Sequence, residues 1–188
     1  MNAPHSTILL VEDNEDDVFI MKHALKQAGL ANSLQVVTDG QMALDYLEGV
    51  GSYADRTRFP LPFVVFLDLK LPYLHGFEVL TWIRKQEALN SLVVIILTSS
   101  DEERDHQQAS ALGARFYLVK PPKPTELLRI FQSLKNYSMS QGALCFMHES
   151  ILHARRTSNK IVYLERTQHS LESCSLSHFP NGRRGIAL

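Results

Sequence analysis

Five short apolar runs, rich in β-branched and aromatic residues, recur along the first part of the chain. They are "TILLV" (7–11), "LQVVT" (34–38), "FVVFLDL" (63–69), "VVIILT" (93–98) and "RFYLV" (115–119). Runs of this length without polar alternation predict strands buried on both faces, as in a parallel sheet. Between them the spacing changes. Val18, Met21, Leu25 and Ala28 repeat at steps of three and four residues, which predicts a helix ending at Gly29. "GQMALDYLEG" predicts a short second helix, and "GFEVLTWIRK" a third, with Phe77, Leu80 and Ile83 or Arg84 along one side. "SDEERDHQQASALGA" opens with Ser100 and Glu103 at capping-box spacing and closes at Gly113. Pro124 suits the first position of a fifth helix, whose apolar stripe is Leu127, Leu128, Phe131 and Leu134.

Strand and helix alternating five times predict an α/β fold, a doubly wound sheet with helices on both faces. In such folds ligands gather outside the carboxyl ends of the strands. The segment "GVGSYADRTRFPLP" (49–62) is long for a crossover loop and is read as a tolerated insertion.

The strand ends carry Glu12 and Asp13, then Asp39, Asp68, Thr98 and Lys120. A Thr or a Lys alone would be unremarkable there. Asp39, just before Gly40, is read as a helix N-cap. Glu12, Asp13 and Asp68 converge if the first and third strands are neighbours. Three carboxylates repel one another unless a cation joins them, and an all-oxygen donor set suits Mg²⁺ rather than zinc. Mg²⁺ beside an amine and a hydroxyl is an arrangement for stabilising a phosphoryl group, which one carboxylate could attack and hold covalently. The run "ILLVEDNEDD" then divides. Glu12 and Asp13 face the site, Asn14 caps the next helix, and Glu15, Asp16 and Asp17 fill its first turn, where the helix dipole favours negative charge.

Composition narrows the picture. The 188 residues carry a net charge of −1, but unevenly. Residues 1–138 hold 13 Lys/Arg against 17 Asp/Glu (−4), and residues 139–188 hold 6 against 3 (+3). Neither part is basic enough to indicate nucleic acid. Cys145 and Cys174 form no CxxC pair, and His148 and His153 lie off any shared helical face, so neither a disulfide framework nor a second metal pair is expected. With no apolar stretch of about 18 residues and no basic leader before the first apolar run, a cytoplasmic chain that makes no membrane contact is expected.

The segments "LLVEDN", "FLDLKLPYLHGFEVL", "LTSS" and "YLVKPP" together resemble the receiver domain of two-component response regulators. The resemblance covers about residues 6–138. "VEDNEDDVFIMKHAL" and "DYLEG…GSYADR…LP" are most similar to stand-alone regulators paired with bacterial phytochrome-type kinases. It implies a five-stranded parallel sheet in the flavodoxin-like order 2-1-3-4-5 with five flanking helices. It also implies that Asp68 accepts a phosphoryl group from a sensor histidine kinase or a phosphotransfer protein. Mg²⁺ would be held by Asp13, Asp68 and the Lys70 backbone carbonyl, with Glu12 acting through water. Thr98 and Lys120 would bind phosphoryl oxygens, Tyr117 would switch rotamer, and the Lys120–Pro121 peptide would be cis. Pro72 and Gly76 match the turn after the phosphorylated strand. Activity would be confined to the chain's own phosphorylation and dephosphorylation, in a monomer or weak homodimer that changes its partner binding.

Two departures stand out. Pro122 and Lys123 occupy positions where the family shows an apolar residue and a capping Asp or Ser. Residues 139–188 show no output domain and are expected to be poorly ordered. Two alternatives follow from the same residues. A Mg²⁺-dependent phosphatase would need an acid two residues after its nucleophile, where Lys70 stands. A DNA-binding regulator would need a helix-turn-helix or similar module after residue 138.

Overall fold

Strand β1 (Ile8–Val11) is buried at all four positions, as are β3 (Val64–Leu67) and β5 (Phe116–Val119). Together with β2 (Leu34–Val37) and β4 (Val93–Thr98), they are the five strands that the apolar runs predict. The computed structural model describes residues 7–30, 34–141 and 161–163, with side chains described up to Leu134. All five strands run parallel in the order 2-1-3-4-5.

Because side chains alternate along a strand, the sheet has two apolar faces. Ile8, Leu10, Val64, Phe66, Ile95, Leu97, Phe116 and Leu118 point to one side. There they pack against Met21 and Leu25 of α1 (Glu15–Gln27) and Leu127, Ile130 and Phe131 of α5 (Pro124–Gln141). Leu9, Val11, Val65, Leu67, Val94, Ile96 and Tyr117 point to the other, against α2 (Gly40–Glu48), α3 (Gly76–Lys85) and α4 (Glu103–Ala111). Each face buries roughly 1.5–3 kcal/mol per large side chain, enough to fix the register of every strand.

The helix signals hold in part. Asn14 caps α1 by accepting from the Asp16 and Asp17 N–H groups, and Asp39 caps α2 through the Met42 N–H at 2.7 Å. Gly29 and Gly113 take positive φ just past α1 and α4. The capping box expected at Ser100 and Glu103 is not there. The residue flanking α4 is Glu102, which makes no side-chain cap, while Ser100 Oγ accepts from the Glu102 N–H. A capping box exists instead on α3, between His75 and Glu78. On α5 the apolar stripe is Leu127, Ile130, Phe131 and Leu134; Leu128 is exposed, one step of 100° off that face. On α3 Ile83 is buried, whereas Arg84 donates to the Gly113 and Leu92 carbonyls and so ties α3 to the end of α4.

The crossover at 49–62 is anchored. Arg56 donates to the Tyr46, Leu47 and Phe59 carbonyls, and the rings of Tyr46, Tyr53 and Phe59 pack on one another. One element lies beyond the expected five units. Residues Ile161–Tyr163 form β6, which pairs antiparallel with β5 and extends the sheet to six strands. The rest of the tail from residue 142, with Cys145, His148, His153 and Cys174, lies outside the described residues.

Candidate metal centre

The register of the sheet brings the acids together. Val11 stands opposite Leu67 across the β1–β3 pair, so both strands end at the same level. The Asp68 N–H then donates to the Val11 carbonyl (3.1 Å), and the Glu12 N–H donates to the Val37 carbonyl (3.0 Å). Glu12, Asp13 and Asp68 each offer one oxygen within 4.8 Å of the others. Glu12 and Asp68 are buried, 1% and 4% exposed, while Asp13 faces solvent.

Lys120, at the end of β5, points its ammonium into this group. Nζ lies 2.5 Å from Glu12 Oε2, 2.6 Å from Asp68 Oδ2 and 3.0 Å from Asp17 Oδ2. Burial works against the charged amine, but the hydrogen bonds to Asp68, Glu12 and Asp17 outweigh it and hold its pKa above the ordinary value. The Glu12 pKa is raised. Burial is the main cause and the nearby Asp68 carboxylate adds to it, both outweighing the opposing pull of Lys120.

Whether a cation fits can be judged from the same atoms. Four carboxylates, those of Glu12, Asp13, Asp17 and Asp68, gather at these strand ends, and a single ammonium, that of Lys120, pairs with three of them. An all-oxygen donor set with more negative charge than one lysine offsets suits a hard divalent cation. The residues fit the group.

The hydroxyl and phenol sit on the adjoining strand ends. Thr98 is buried, and its Oγ accepts from the Ser100 N–H at 3.3 Å. Tyr117 is buried too, and its phenol donates to the Ser100 carbonyl at 3.1 Å. The Lys70 N–H donates to Asp68 Oδ1 at 3.2 Å, and its side chain is exposed. The Lys120–Pro121 peptide is cis.

The family described as the response regulator receiver domain matches residues 8–132. The chain belongs to this family. Receivers of this kind are phosphoacceptors in two-component signalling, and this chain is one of them. It is 36% identical over 133 residues to the probable methanogenesis regulatory protein FilR2 of Methanothrix harundinacea, covering 69% of this chain and 81% of that one. Response regulator Rcp1 of Synechocystis is 31% identical over 134 residues, covering 71% and 89%. Rcp1 has been solved in a Mn²⁺-bound form, which matches with a TM-score of 0.58 over 71% of this chain and 94% of that one. The bacteriophytochrome response regulator AtBRR is 41% identical, with a TM-score of 0.62 over 71% of this chain and 94% of its own. Among the described residues no helix is long and apolar enough to cross a membrane.

Two residues of this receiver's site escape a reading of the sequence. Asp17 counts there as one of three acids that merely start α1, yet it bonds Lys120. It is the third residue after the Asn14 cap, and helical side chains lean toward the N-terminus, so it leans back over the strand ends. The second is His106 on α4, which lies flat against Tyr117 with ring centroids 3.7 Å apart. At the start of α5, where the family's capping residue is missing, Glu126 accepts from the Lys123 N–H and does part of that work.

Proposed function

We propose that the chain is a single-domain response regulator in which Asp68 takes a phosphoryl group from a sensor histidine kinase of the phytochrome type, or from a phosphotransfer protein. The observation that carries this reading is the position of Asp68: a buried carboxylate whose Oδ2 is 2.6 Å from Lys120 and which shares a cation-sized cluster with Glu12 and Asp13. Asp13, Asp68 and the Lys70 backbone carbonyl would hold Mg²⁺ directly, and Glu12 through water, and the ion would neutralise charge on the transferring phosphoryl oxygens. An Asp68 oxygen attacks phosphorus, the phosphorus–nitrogen bond of the donor phosphohistidine breaks, and its electron pair leaves with the imidazole. Lys120 turns from the carboxylate to a phosphoryl oxygen. Thr98 moves to donate to another, and that movement breaks the bond its Oγ accepts from the Ser100 N–H. Because Tyr117 bonds the carbonyl of the same Ser100, that exchange reaches β5 and α4 and alters partner affinity there. Residues 139–188 carry no DNA-binding module in this reading, and the chain works in the cytoplasm as a monomer or weak homodimer.

The donor protein must reach Asp68 from the rim. Just after Asp17, α1 exposes Phe19 (71%) and Ile20, and these line a shallow apolar groove with His23, Ala24, Pro122 and Pro124. We read this groove as the docking face for the donor. Phe19→Glu should slow transfer from a cognate kinase at least tenfold, about 1.4 kcal/mol, while changing labelling by acetyl phosphate less than twofold. An equal loss with both donors would place the damage in the site and remove the docking role. The function itself is tested by transfer from a panel of purified, autophosphorylated sensor kinases, among which a phytochrome-type kinase should be fastest. No transfer from any of them, under conditions where acetyl phosphate labels the chain, would overturn the kinase assignment.

The rim also sets the lifetime of the phosphorylated form. Lys70 follows Asp68 by two residues and has an exposed amine, which can cover the phosphoryl group without activating water. Ser100 is occupied, its Oγ by the Glu102 N–H and its backbone by Thr98 and Tyr117. Lys70→Asn, which can orient a water molecule, should speed autodephosphorylation roughly tenfold, about 1.4 kcal/mol of barrier. The check is decay of the phosphoprotein after donor removal at fixed Mg²⁺. Decay at or below the wild-type rate would end the shielding account.

A further inference from the structure

Helix α4 is the most polar of the helices packed on the sheet, and its buried residues are His106 and Ala109. Its hold on β5 therefore depends on one ring and one methyl group, with Leu112 beyond its end. The ring is well placed. His106 is 9% exposed and lies over Tyr117 at 3.7 Å between centroids and 28° between planes, a stacked arrangement. Asp101 Oδ1 stands 3.5 Å from His106 Nε2 and sets the angle of the imidazole, although Asp101 is 61% exposed and the pair adds little by itself.

Tyr117 is fixed at its other end by the hydrogen bond from its phenol to the Ser100 carbonyl. Burial, supported by the Asp105 carboxylate, pushes the phenol pKa up to about 12, so the group remains a donor at working pH. The Ser100 peptide is gripped from both sides, its N–H by Thr98 and its carbonyl by Tyr117. A continuous set of contacts thus runs from Thr98 through Ser100 and Tyr117 to His106 and α4. Nothing in the phosphoryl chemistry requires an imidazole at that end, since His106 touches neither the acids nor Lys120.

We propose that His106 is a positioning residue of the switch: its imidazole, stacked on Tyr117, holds the phenol in its buried place against Ser100 and couples that placement to helix α4. The assignment rests on the reading of Thr98 and Tyr117 as the residues that respond to the phosphoryl group. The planar face of residue 106 is what acts; Asp101 only orients it. Loss of that face should lower the ratio of buried to outward Tyr117 by about fivefold, the scale of one aromatic pair.

The test uses the full chain labelled with 3-fluorotyrosine, with the Tyr117 resonance assigned from Tyr117→Phe and its burial read from the H₂O/D₂O isotope shift. In the wild type the resonance should be displaced by the imidazole ring and insensitive to the solvent isotope. In His106→Ala it should move toward the exposed position and become isotope-sensitive. His106→Phe, which keeps the ring and loses the Asp101 contact, should restore the wild-type signature. Denaturant unfolding controls for global damage, and if the Ala variant does not fold, His106→Gln supplies side-chain length without a ring. A Tyr117 resonance unchanged in the Ala or Gln variant would overturn the proposal, and so would failure of Phe to restore it. The measurement needs no phosphodonor, so its outcome is independent of whether Asp68 is the phosphoacceptor.

Discussion

Asp68→Asn should abolish alkali-labile labelling of the chain by acetyl phosphate or by a kinase, with a loss of at least a hundredfold. Asn keeps the size of the side chain and an oxygen that can accept from the Lys70 N–H, so the turn after β3 is expected to survive. The amide lacks an ionised oxygen to form the bond to phosphorus. The other two acids of the cluster are poor substitutes. Glu12 is buried under Lys120, and Asp13 is exposed at the rim.

The fold should tolerate the change. Lys120 loses one acceptor of three but keeps Glu12 and Asp17, and removing one carboxylate from a group of four also relieves repulsion. A melting temperature within a few degrees of wild type is therefore expected, which separates loss of chemistry from loss of structure. Chelating the divalent cation should reproduce most of the loss in the wild type, because the remaining acids would face the incoming phosphate with Lys120 alone. Undiminished labelling of Asp68→Asn would move the phosphoacceptor elsewhere.

The parts of this site that the sequence makes legible are those set by local pattern. The strand ends follow from the apolar runs, and once β1 and β3 pair in register, Glu12, Asp13 and Asp68 must meet. Asn14 and Asp39 are readable because capping is decided within four residues. What is missed is decided by distant partners. Asp17 is visible as a first-turn acid, but its partner Lys120 is 103 residues away. Ser100 has the spacing of a capping box, yet its N–H donates to Thr98 Oγ and its carbonyl accepts from the more distant Tyr117, which keeps it outside α4, so the helix starts later. His106 is hidden by the polarity of its neighbours, which masks the one ring that faces β5. The segment "IVY" at 161–163 is too short to show a period, and only the edge of β5 makes it a strand. Tyr73, 95% exposed at φ 64, carries no sequence sign of a positive dihedral, because that region favours Gly and Asn.

Gly76→Ala should be among the most damaging single substitutions near the site. Gly76 opens α3, and its N–H donates to the Leu69 carbonyl at 3.0 Å. It is not among the positive-φ glycines, so the backbone itself would accept alanine, which a helix prefers by about 1 kcal/mol. The obstacle is space. An added Cβ would stand 2.2 Å from the Asp68 carbonyl oxygen, 2.8 Å from Leu69 Cα and 3.0 Å from the Asp68 carbonyl carbon. All three are backbone atoms, so no rotamer change can relieve the contact, and either the first turn of α3 or the end of β3 must move. Overpacking of this kind costs about 3 kcal/mol, which for a domain of this size lowers the melting temperature by roughly 10 °C. Because the atom displaced belongs to Asp68, labelling should fall at least tenfold even at a temperature where the variant is folded. Gly29→Ala is the contrasting case: no atom lies within 4 Å of the added carbon, so its cost is the left-handed backbone at φ 71 alone, about 1 kcal/mol, and labelling should be untouched. A Gly76→Ala protein with wild-type melting temperature would show that the turn relaxes freely. One that melts early but labels at the wild-type rate when folded would show that the turn supports the fold without positioning Asp68.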